Sequence, residues 1–211
     1  MGAADESELP EHWFGDPDPR RLFSPWDWPV PPPCGITAHD LDKIPYLPRR
    51  VELIDGAPVF GSPQNLFHAR TLSVLQRGLG EQVPERLRVA RQMSVILGPR
   101  QRPDPDVAVV DAAADRGDDQ TYYPAASVLL VIEVVSRDSE VRDRERKPQL
   151  YAQAGIAHFW RVEREAGDPV VYVYELDPAT RSYVATGIHR RRLRLGVPFD
   201  VDIDLLQTRF E

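Results

Sequence analysis

The sequence SVLLVIEVVS at residues 127–136 constrains the fold most, because it is nearly all aliphatic and contains a single carboxylate, Glu133. An apolar run of this kind is typical of a strand that is buried on both faces of a sheet. An unpaired ionised carboxylate in such a strand costs several kcal/mol or more, so it either becomes neutral or finds a cation. The run therefore predicts a central strand and a partner for Glu133.

A second apolar run, DVAVV, begins at Asp106 directly after Pro105, roughly 27 residues before Glu133. Two neighbouring strands joined by a loop would place Asp106 and Glu133 side by side. Two close carboxylates repel each other, and one is forced to protonate unless a cation lies between them. Because oxygen ligands suit Mg²⁺ or Mn²⁺, we expect a divalent ion at this pair.

The other candidate cation is Lys147, which is one of only two lysines in the chain; the second is Lys43. Arginine supplies the remaining positive charge, although Lys147 lies within the arginine-rich sequence RDRERK. An ammonium group is a compact charge whose pKa falls readily on burial or near a metal. Two interpretations stay open: Lys147 orients or deprotonates an attacking water, or it is a solvated charge on a helix.

The order of local signals predicts one domain over residues 36–211. The pair Asp55-Gly56 between apolar runs indicates a hairpin. The sequence SPQNLFHARTLSVLQRGLG predicts a helix that Ser62 caps and Gly80 ends. RVARQMSVILG and DVAVVD are typical of strands, and VRDRERKPQLYAQAG is typical of a helix with Gly155 as its C-cap.

The remaining segments, AHFWRVE, PVVYVYEL and SYVATGI, are typical of strands. Helices and strands in this order predict an α/β (α+β) fold with a mixed central sheet, flanking helices and extra C-terminal antiparallel strands. The helix that contains Pro148 begins late or kinks there, because proline removes a backbone donor.

Residues 1–35 differ in composition from the rest, with eight prolines and three of the four tryptophans. Proline disfavours helices and central strands, whereas tryptophan has apolar area to bury. Two alternatives follow for this N-terminal arm. It is an extended segment docked on the domain or on a partner chain, or it is a disordered leader.

Charge and cysteine content exclude several classes of protein. A net charge of −7 argues against coating nucleic acid by bulk electrostatics, but it does not exclude a local basic groove. The single cysteine, Cys34, excludes an internal disulfide and a multi-cysteine zinc site and fits the reducing cytoplasm. No apolar run approaches the length of a membrane span, so we expect a cytoplasmic protein without a membrane partner.

Two motifs together resemble the PD-(D/E)XK nuclease superfamily, namely RPDPDVAVV followed by LLVIEVVS. A longer series of segments resembles, in family order, the Uma-type family of "putative restriction endonucleases". These segments are RVELIDG, FHAR, PDVAVV, VIEVVSRDSEVRDRERKPQLYAQAGIAHFWRVE and PFDVDIDL. The resemblance spans residues 37–206, and the compound pattern is far more specific than a lone Pro-Asp.

The resemblance implies a restriction-endonuclease-like fold with a four-stranded core and helices on both sides. It implies that Asp106 and Glu133 hold Mg²⁺ (or Mn²⁺) together with the backbone carbonyl of Val134. Glu52 matches an early acidic residue of the family and completes the outer shell of the ion. The sequence RPDPD also offers Asp104, but Asp106 directly precedes the strand and is therefore held more rigidly.

The chain departs from the superfamily pattern two residues after Glu133, where Val135 replaces a lysine. The Uma-type family shares this departure and carries a lysine on the next helix, which matches Lys147. The resemblance implies a metal-dependent endonuclease that hydrolyses DNA, with Lys147 as a catalytic residue. A homodimer is expected, because duplex cleavage needs two active sites or two encounters. Alternatives are a non-catalytic nuclease-fold module that binds DNA or protein, and a hydrolase for another phosphate ester.

Other polar residues near these motifs have two interpretations each. His68 is a core histidine or lines the site. Asp143 caps the second helix or holds Lys147, and Tyr151, one helical turn beyond Lys147, packs in the core or touches phosphate. The arginine-rich residues 189–195 meet phosphate or form a solvated edge strand.

Overall fold

A six-stranded mixed sheet lies at the centre of the computed structural model, which describes residues 35–44, 47–48 and 50–208. The predicted arm, residues 1–35, lies outside the described residues except for Gly35. The strands and helices are β1 (Val51–Ile54), β2 (Ala57–Phe60), α1 (Leu66–Gly80), β3 (Leu87–Arg91), β4 (Ser94–Ile96), β5 (Val107–Asp111), β6 (Tyr122–Pro124), β7 (Val128–Val134), α2 (Lys147–Gln153), β8 (His158–Glu165), β9 (Asp168–Asp177), β10 (Ser182–His189), β11 (Arg192–Leu195) and β12 (Val201–Asp204).

The predicted central strands are confirmed, because β7 lies inside the sheet order β10-β9-β8-β7-β5-β3. β7 pairs antiparallel with β5 and parallel with β8. A parallel pair needs a crossover connection, and the segment that contains α2 supplies it. The strands β3, β5, β7 and β8 form a four-stranded core, and β9 and β10 are the extra antiparallel strands that the sequence predicts.

The two helices cover opposite faces of this sheet. Leu72, Leu75 and Leu79 of α1 belong to one hydrophobic cluster with alternate residues of β5 and β7. Tyr151 of α2 belongs to a second cluster with Val131 of β7 and with the intervening residues of β5. Since successive side chains of a strand point to opposite faces, β5 and β7 are buried from both sides. Their near-continuous apolar sequences follow from this.

The predicted start of the first helix is wrong by a few residues. Asn65, not Ser62, is the N-cap of α1, because its side chain accepts a hydrogen bond from the backbone N–H of His68. The backbone of Asn65 is extended, with φ −80° and ψ 168°, as an N-cap residue requires. The cap therefore fixes the position of His68 within the first turn of α1.

The stretch RVARQMSVILG, predicted as one strand, forms two. The break is at Gln92, whose φ of 52° is not compatible with an extended strand. β3 before the break pairs with β5, and β4 after it pairs with β6. The backbone N–H of Gln92 donates to the carbonyl oxygen of Asp106 at 3.1 Å, so this turn holds the chain just before β5.

The second helix begins with one wide turn. Residues Arg142–Arg146 form a π-helical turn, and α2 follows at Lys147 with Pro148 in its first turn. The predicted irregularity at Pro148 is therefore present, since the hydrogen-bonding pattern changes directly before it. The C-cap of α2 is Ala154, not the predicted Gly155, which follows it with a φ of 83°. No helix in the described part of the chain is long and apolar enough to cross a membrane.

Candidate active site

Asp106 and Glu133 meet at one end of the central strands. Asp106 directly precedes β5, and Glu133 is the next-to-last residue of β7. The antiparallel register pairs Val107 with Ile132, so the next step of the ladder places Asp106 opposite Glu133. Both side chains are buried. They line a cavity of about 120 Å³, which has room for several water molecules.

Lys147, the first residue of α2, lies in the same cavity and contacts three carboxylates. Its Nζ is 2.7 Å from Oε1 of Glu52, 3.1 Å from Oε1 of Glu133 and 3.3 Å from Oδ1 of Asp143. The side chain of Lys147 is only 5% exposed. The interpretation of Lys147 as a solvated helix charge is therefore wrong, because the ammonium is buried among acidic groups.

Glu52 is brought to the cavity by the hairpin of β1 and β2. The hairpin docks through a pair of backbone hydrogen bonds between Leu53 and Arg102, at 2.8 and 3.0 Å. Oε1 of Glu52 also accepts a hydrogen bond from the backbone N–H of Asp104 at 2.9 Å. The segment that leads into β5 and the hairpin are therefore held together at the cavity wall.

Asp106 is oriented by three other elements of the fold. Its Oδ2 accepts a hydrogen bond from the backbone N–H of Val134 at 2.8 Å, and its Oδ1 lies 2.9 Å from Nε2 of His68. Arg50 approaches Oδ1 to 3.7 Å. Burial acts to raise the pKa of Asp106, but the interactions with His68 and the Val134 N–H outweigh it and hold this pKa below its ordinary value.

Glu133 is in the opposite electrostatic situation. Burial is the largest cause that raises its pKa well above the ordinary value; Lys147 opposes this effect, and the neighbouring carboxylates add to it. The hydroxyl of Tyr151 donates a hydrogen bond to Oε1 of Glu133 at 2.5 Å. Burial acts to lower the pKa of Lys147, but Glu133, Glu52 and Asp143 outweigh it and raise this pKa.

The cavity contains the oxygen donors that a hard divalent cation prefers. Four buried carboxylates face one buried ammonium, and Nδ1 of His68 is buried without a hydrogen-bond partner among the described residues. Buried negative charge in excess is stabilised by a further cation, and carboxylate oxygens suit Mg²⁺ or Mn²⁺. The buried carboxylates belong to Glu52, Asp106, Glu133 and Asp143.

The carboxylates converge on Lys147. Across the described residues, no group of three or more acidic, histidine or cysteine side chains surrounds a common point that would suit a metal ion. Nζ of Lys147 instead lies within 3.3 Å of three carboxylates. An ion held by Asp106 and Glu133 would therefore share Glu133 with the lysine.

Asp104, the alternative to Asp106, lines the same cavity. The hydroxyl of Ser94 donates a hydrogen bond to Asp104. Burial is the main cause that raises the pKa of Asp104 to about 6.

Val134 also lines the cavity. Its backbone N–H, and not its carbonyl oxygen, contacts Asp106.

Sequence reasoning missed two residues that approach Asp106. Arg50 lies 3.7 Å and Gln64 lies 3.4 Å from Oδ1 of Asp106. Arg50 has a φ of 66°, a conformation that no local pattern predicts for arginine. The only available signal was proximity in sequence, since Arg50 precedes Glu52 by two residues and Gln64 precedes His68 by four.

The arginine-rich residues 189–195 do not line this cavity. Arg192 and Arg194 lie on β11 and pair with Asp202 of the neighbouring β12. Both arginine side chains are exposed. The interpretation as a solvated strand therefore describes these residues.

Comparison with protein families identifies one match. The sequence model of the Uma2 family, described as "putative restriction endonuclease", matches residues 39–205. This range contains every residue described above as lining the cavity around Asp106 and Glu133, which we call the carboxylate cavity. No curated protein matches the chain significantly.

A solved structure with a TM-score above 0.5 has the same fold, and two others match with lower scores. The crystal structure of a "putative nuclease belonging to DUF820" from Anabaena variabilis ATCC 29413 matches with a TM-score of 0.61 and 17% identity, over 82% of this chain and 97% of that chain. NucC from E. coli MS115-1, in its apo form, matches with a TM-score of 0.31 and 21% identity, over 53% of this chain and 52% of that chain. NucC from P. aeruginosa ATCC27853, in its cAAA-bound form, matches with a TM-score of 0.31 and 14% identity, over 59% and 85%.

Proposed function

This chain belongs to the Uma2 family, described as "putative restriction endonuclease", and we propose that it is a metal-dependent endonuclease that hydrolyses phosphodiester bonds in DNA. The observation that carries the proposal is the convergence of Asp106, Glu133 and Lys147 in one buried cavity, with Lys147 3.1 Å from Glu133. The lysine that the superfamily pattern places on the strand is thus replaced by one from the following helix.

Asp106 and Glu133 would hold the ion, and Val134 would contribute its backbone carbonyl. A bound Mg²⁺ or Mn²⁺ supplies Lewis acidity toward the phosphodiester and lowers the pKa of a bound water. Lys147 orients the attacking water and offsets the negative charge that develops on the phosphate. Its three N–H donors suit this role, because they can point at several acceptors at once.

The remaining cavity residues act by holding these three groups. His68 orients Asp106 through Oδ1, and Tyr151 orients Glu133 through its hydroxyl. Glu52 and Asp143 keep the ammonium of Lys147 in place, and Glu52 also completes the outer shell of the ion. Groups that are oriented in advance react with less reorganisation.

Plasmid nicking by purified protein tests this proposal. Glu133→Gln keeps the size of the side chain and an acceptor for Tyr151, but it removes the charge that the ion needs. We expect Mg²⁺-dependent nicking to fall roughly a thousandfold or more, because Lewis acid catalysis contributes several kcal/mol. Asp119→Asn is the matched control, since Asp119 is an exposed loop carboxylate, and it should nick at the wild-type rate.

Circular dichroism and a thermal unfolding curve establish that both variants are folded. Nicking by Glu133→Gln at the wild-type rate would contradict the proposed role of Glu133. Nicking by the wild type in EDTA would contradict the requirement for a metal.

A second candidate function is a nuclease-fold module that binds DNA or protein without cutting it. The observation that favours it is the position of Lys147, which already neutralises carboxylates that an ion would need. Calorimetric titration with Mn²⁺ separates the two functions. A protein that binds DNA but takes up no Mn²⁺ and nicks nothing is the binding module.

DNA is the proposed substrate, and a homodimer is the proposed assembly. Two copies would supply the two active sites that cleavage of both strands needs. Light scattering coupled to size-exclusion chromatography measures the mass in solution against the 23.9 kDa of one chain. A monomer that cuts both strands at one position would contradict the proposed dimer.

A further inference from the structure

Two arginines on the segment between β7 and α2 line the carboxylate cavity without an acidic partner. Arg137 is exposed and Arg142 is half-buried, and both face the cavity that contains Asp106 and Glu133. Neither side chain forms an ion pair or a hydrogen bond with the described residues, and the buried Nε of Arg142 has no partner.

Neighbouring arginines of the same segment behave differently. Arg144 pairs with Glu140 and Glu163, and Arg146 pairs with Asp55. These three ion pairs are made outside the cavity, because neither arginine is among the residues that line it. Acidic partners are therefore available to arginines of this turn, but Arg142 forms no ion pair with the described residues.

The charge of the cavity gives these arginines a role. Six acidic side chains line it against four cationic ones, and two of the cations, Lys147 and Arg50, already lie beside carboxylates. The lining acidic residues are Glu52, Asp104, Asp106, Glu133, Asp138 and Asp143, and the cationic ones are Arg50, Arg137, Arg142 and Lys147. A phosphate that enters therefore needs attractive contacts other than those of the buried lysine.

Arg137 and Arg142 are more available for such contacts than the other two cations. Lys147 is enclosed by three carboxylates, and Arg50 lies 3.7 Å from Asp106. A guanidinium group matches phosphate oxygens with two parallel hydrogen bonds. Arg137 follows shortly after β7, and Arg142 begins the π-helical turn that leads into α2.

We propose that Arg137 and Arg142 form a phosphate clamp, which holds the backbone phosphates of the DNA strand next to the bond that is cut. This inference rests on the proposed function, because it takes the cavity as the place of cleavage. The clamp contacts phosphates and no bases, so it adds affinity that is independent of DNA sequence. Both arginines act as binding residues in this proposal.

The salt dependence of DNA binding tests the clamp. Fluorescence anisotropy of a short labelled duplex is measured in EDTA across a series of salt concentrations. Each phosphate contact contributes about 0.9 to the slope of log affinity against log salt. Arg137→Gln and Arg142→Gln should each lower the slope by about one, which weakens binding about eightfold near 0.1 M salt. The double variant should lower the slope by about two.

The matched control is Arg116→Gln. Arg116 is exposed in the loop that follows the opposite end of β5, and its side chain also has no acidic partner among the described residues. The slope of log affinity against log salt for Arg116→Gln should equal that of the wild type. Arg142→Lys keeps the charge and should keep most of the slope. Equal thermal midpoints for all variants exclude an effect through folding.

The outcomes separate the clamp from the proposed function. A slope that is unchanged in the double variant, in a protein that still nicks DNA, overturns the clamp and leaves the nuclease function standing. A wild type that binds DNA with an arginine-dependent slope but nicks none with Mg²⁺ or Mn²⁺ overturns the nuclease function and keeps the clamp. A wild type that binds no DNA overturns both.

Discussion

The two ends of β5 both carry an aspartate, and the two side chains have different surroundings. Asp106, just before the strand, is buried and contacts His68 and the backbone of Val134. Asp111, the last residue of the strand, is exposed, and its Oδ1 accepts one hydrogen bond from the backbone N–H of Ala113 at 2.9 Å. The first aspartate belongs to the carboxylate cavity, and the second caps a short 3₁₀ turn.

The two aspartates show that residue type and a position at a strand end do not determine the burial or the contacts of a carboxylate in this fold. At the Asp106 end, β7, α1, α2 and the β1–β2 hairpin all bring polar side chains to one place. At the Asp111 end, solvent replaces them. Carboxylates that share a buried space perturb each other strongly, whereas exposed ones are screened by water.

The largest expected difference is in catalysis. Asp106→Asn should lower Mg²⁺-dependent nicking roughly a thousandfold or more, because it removes a proposed ligand of the ion. Asp111→Asn changes the same atom at the other end of the same strand and should leave the rate within about twofold. Plasmid nicking under single-turnover conditions measures both. Equal losses in the two variants would show that the two ends do not differ in function.

The next largest difference is in stability. Lys147→Met removes the cation between three buried carboxylates and should lower the free energy of unfolding by about 3–5 kcal/mol at neutral pH. Arg116→Met, beyond the Asp111 end, removes an exposed cation and should change it by less than about 0.5 kcal/mol. Urea unfolding measures both values.

Mn²⁺ tests whether the carboxylates around Lys147 can bind a divalent ion. Added Mn²⁺ should raise the urea midpoint of Lys147→Met more than that of the wild type, because the carboxylates that the lysine releases become free to bind the ion. A Lys147→Met protein that unfolds at the wild-type midpoint would contradict the buried network.

The smallest expected difference concerns single hydrogen bonds. Tyr151→Phe keeps the buried ring but removes the hydrogen bond to Glu133, and it should cost about 1.5–3 kcal/mol, as for hydrogen bonds to charged groups. Asp111→Ala removes the cap of the 3₁₀ turn and should cost about 0.5 kcal/mol. Thermal unfolding ranks the two variants. A larger loss for Asp111→Ala would break the comparison.

The central strands were predictable because a strand that is buried on both faces has apolar residues at nearly every position. The sequence then contains a continuous apolar run. β7 and β5 are such runs, and their adjacency followed from the loop length between them. The hairpin at Asp55-Gly56 was also predictable. Both residues adopt positive φ, and Asp-Gly is a favoured pair in tight turns that require this conformation.

The boundaries of some elements were not predictable. Ser62 and Asn65 are both good N-cap residues, and only the docking of α1 on the sheet selects Asn65. The turn at Gln92 was missed because glutamine carries no local signal for a positive φ. Its backbone is instead held by a hydrogen bond to Asp106, which is distant in sequence.

The family, the central strands and the carboxylate within an apolar strand could all be recognised from the sequence. Burial and hydrogen bonding act on each residue locally enough to leave patterns along the chain. The partners of Glu133 are visible only in the folded protein. It brings Lys147 from the next helix to 3.1 Å from Glu133 and Glu52 from the hairpin to 2.7 Å from the lysine. Electrostatic interactions depend on distance in space, and no spacing in the sequence measures that distance.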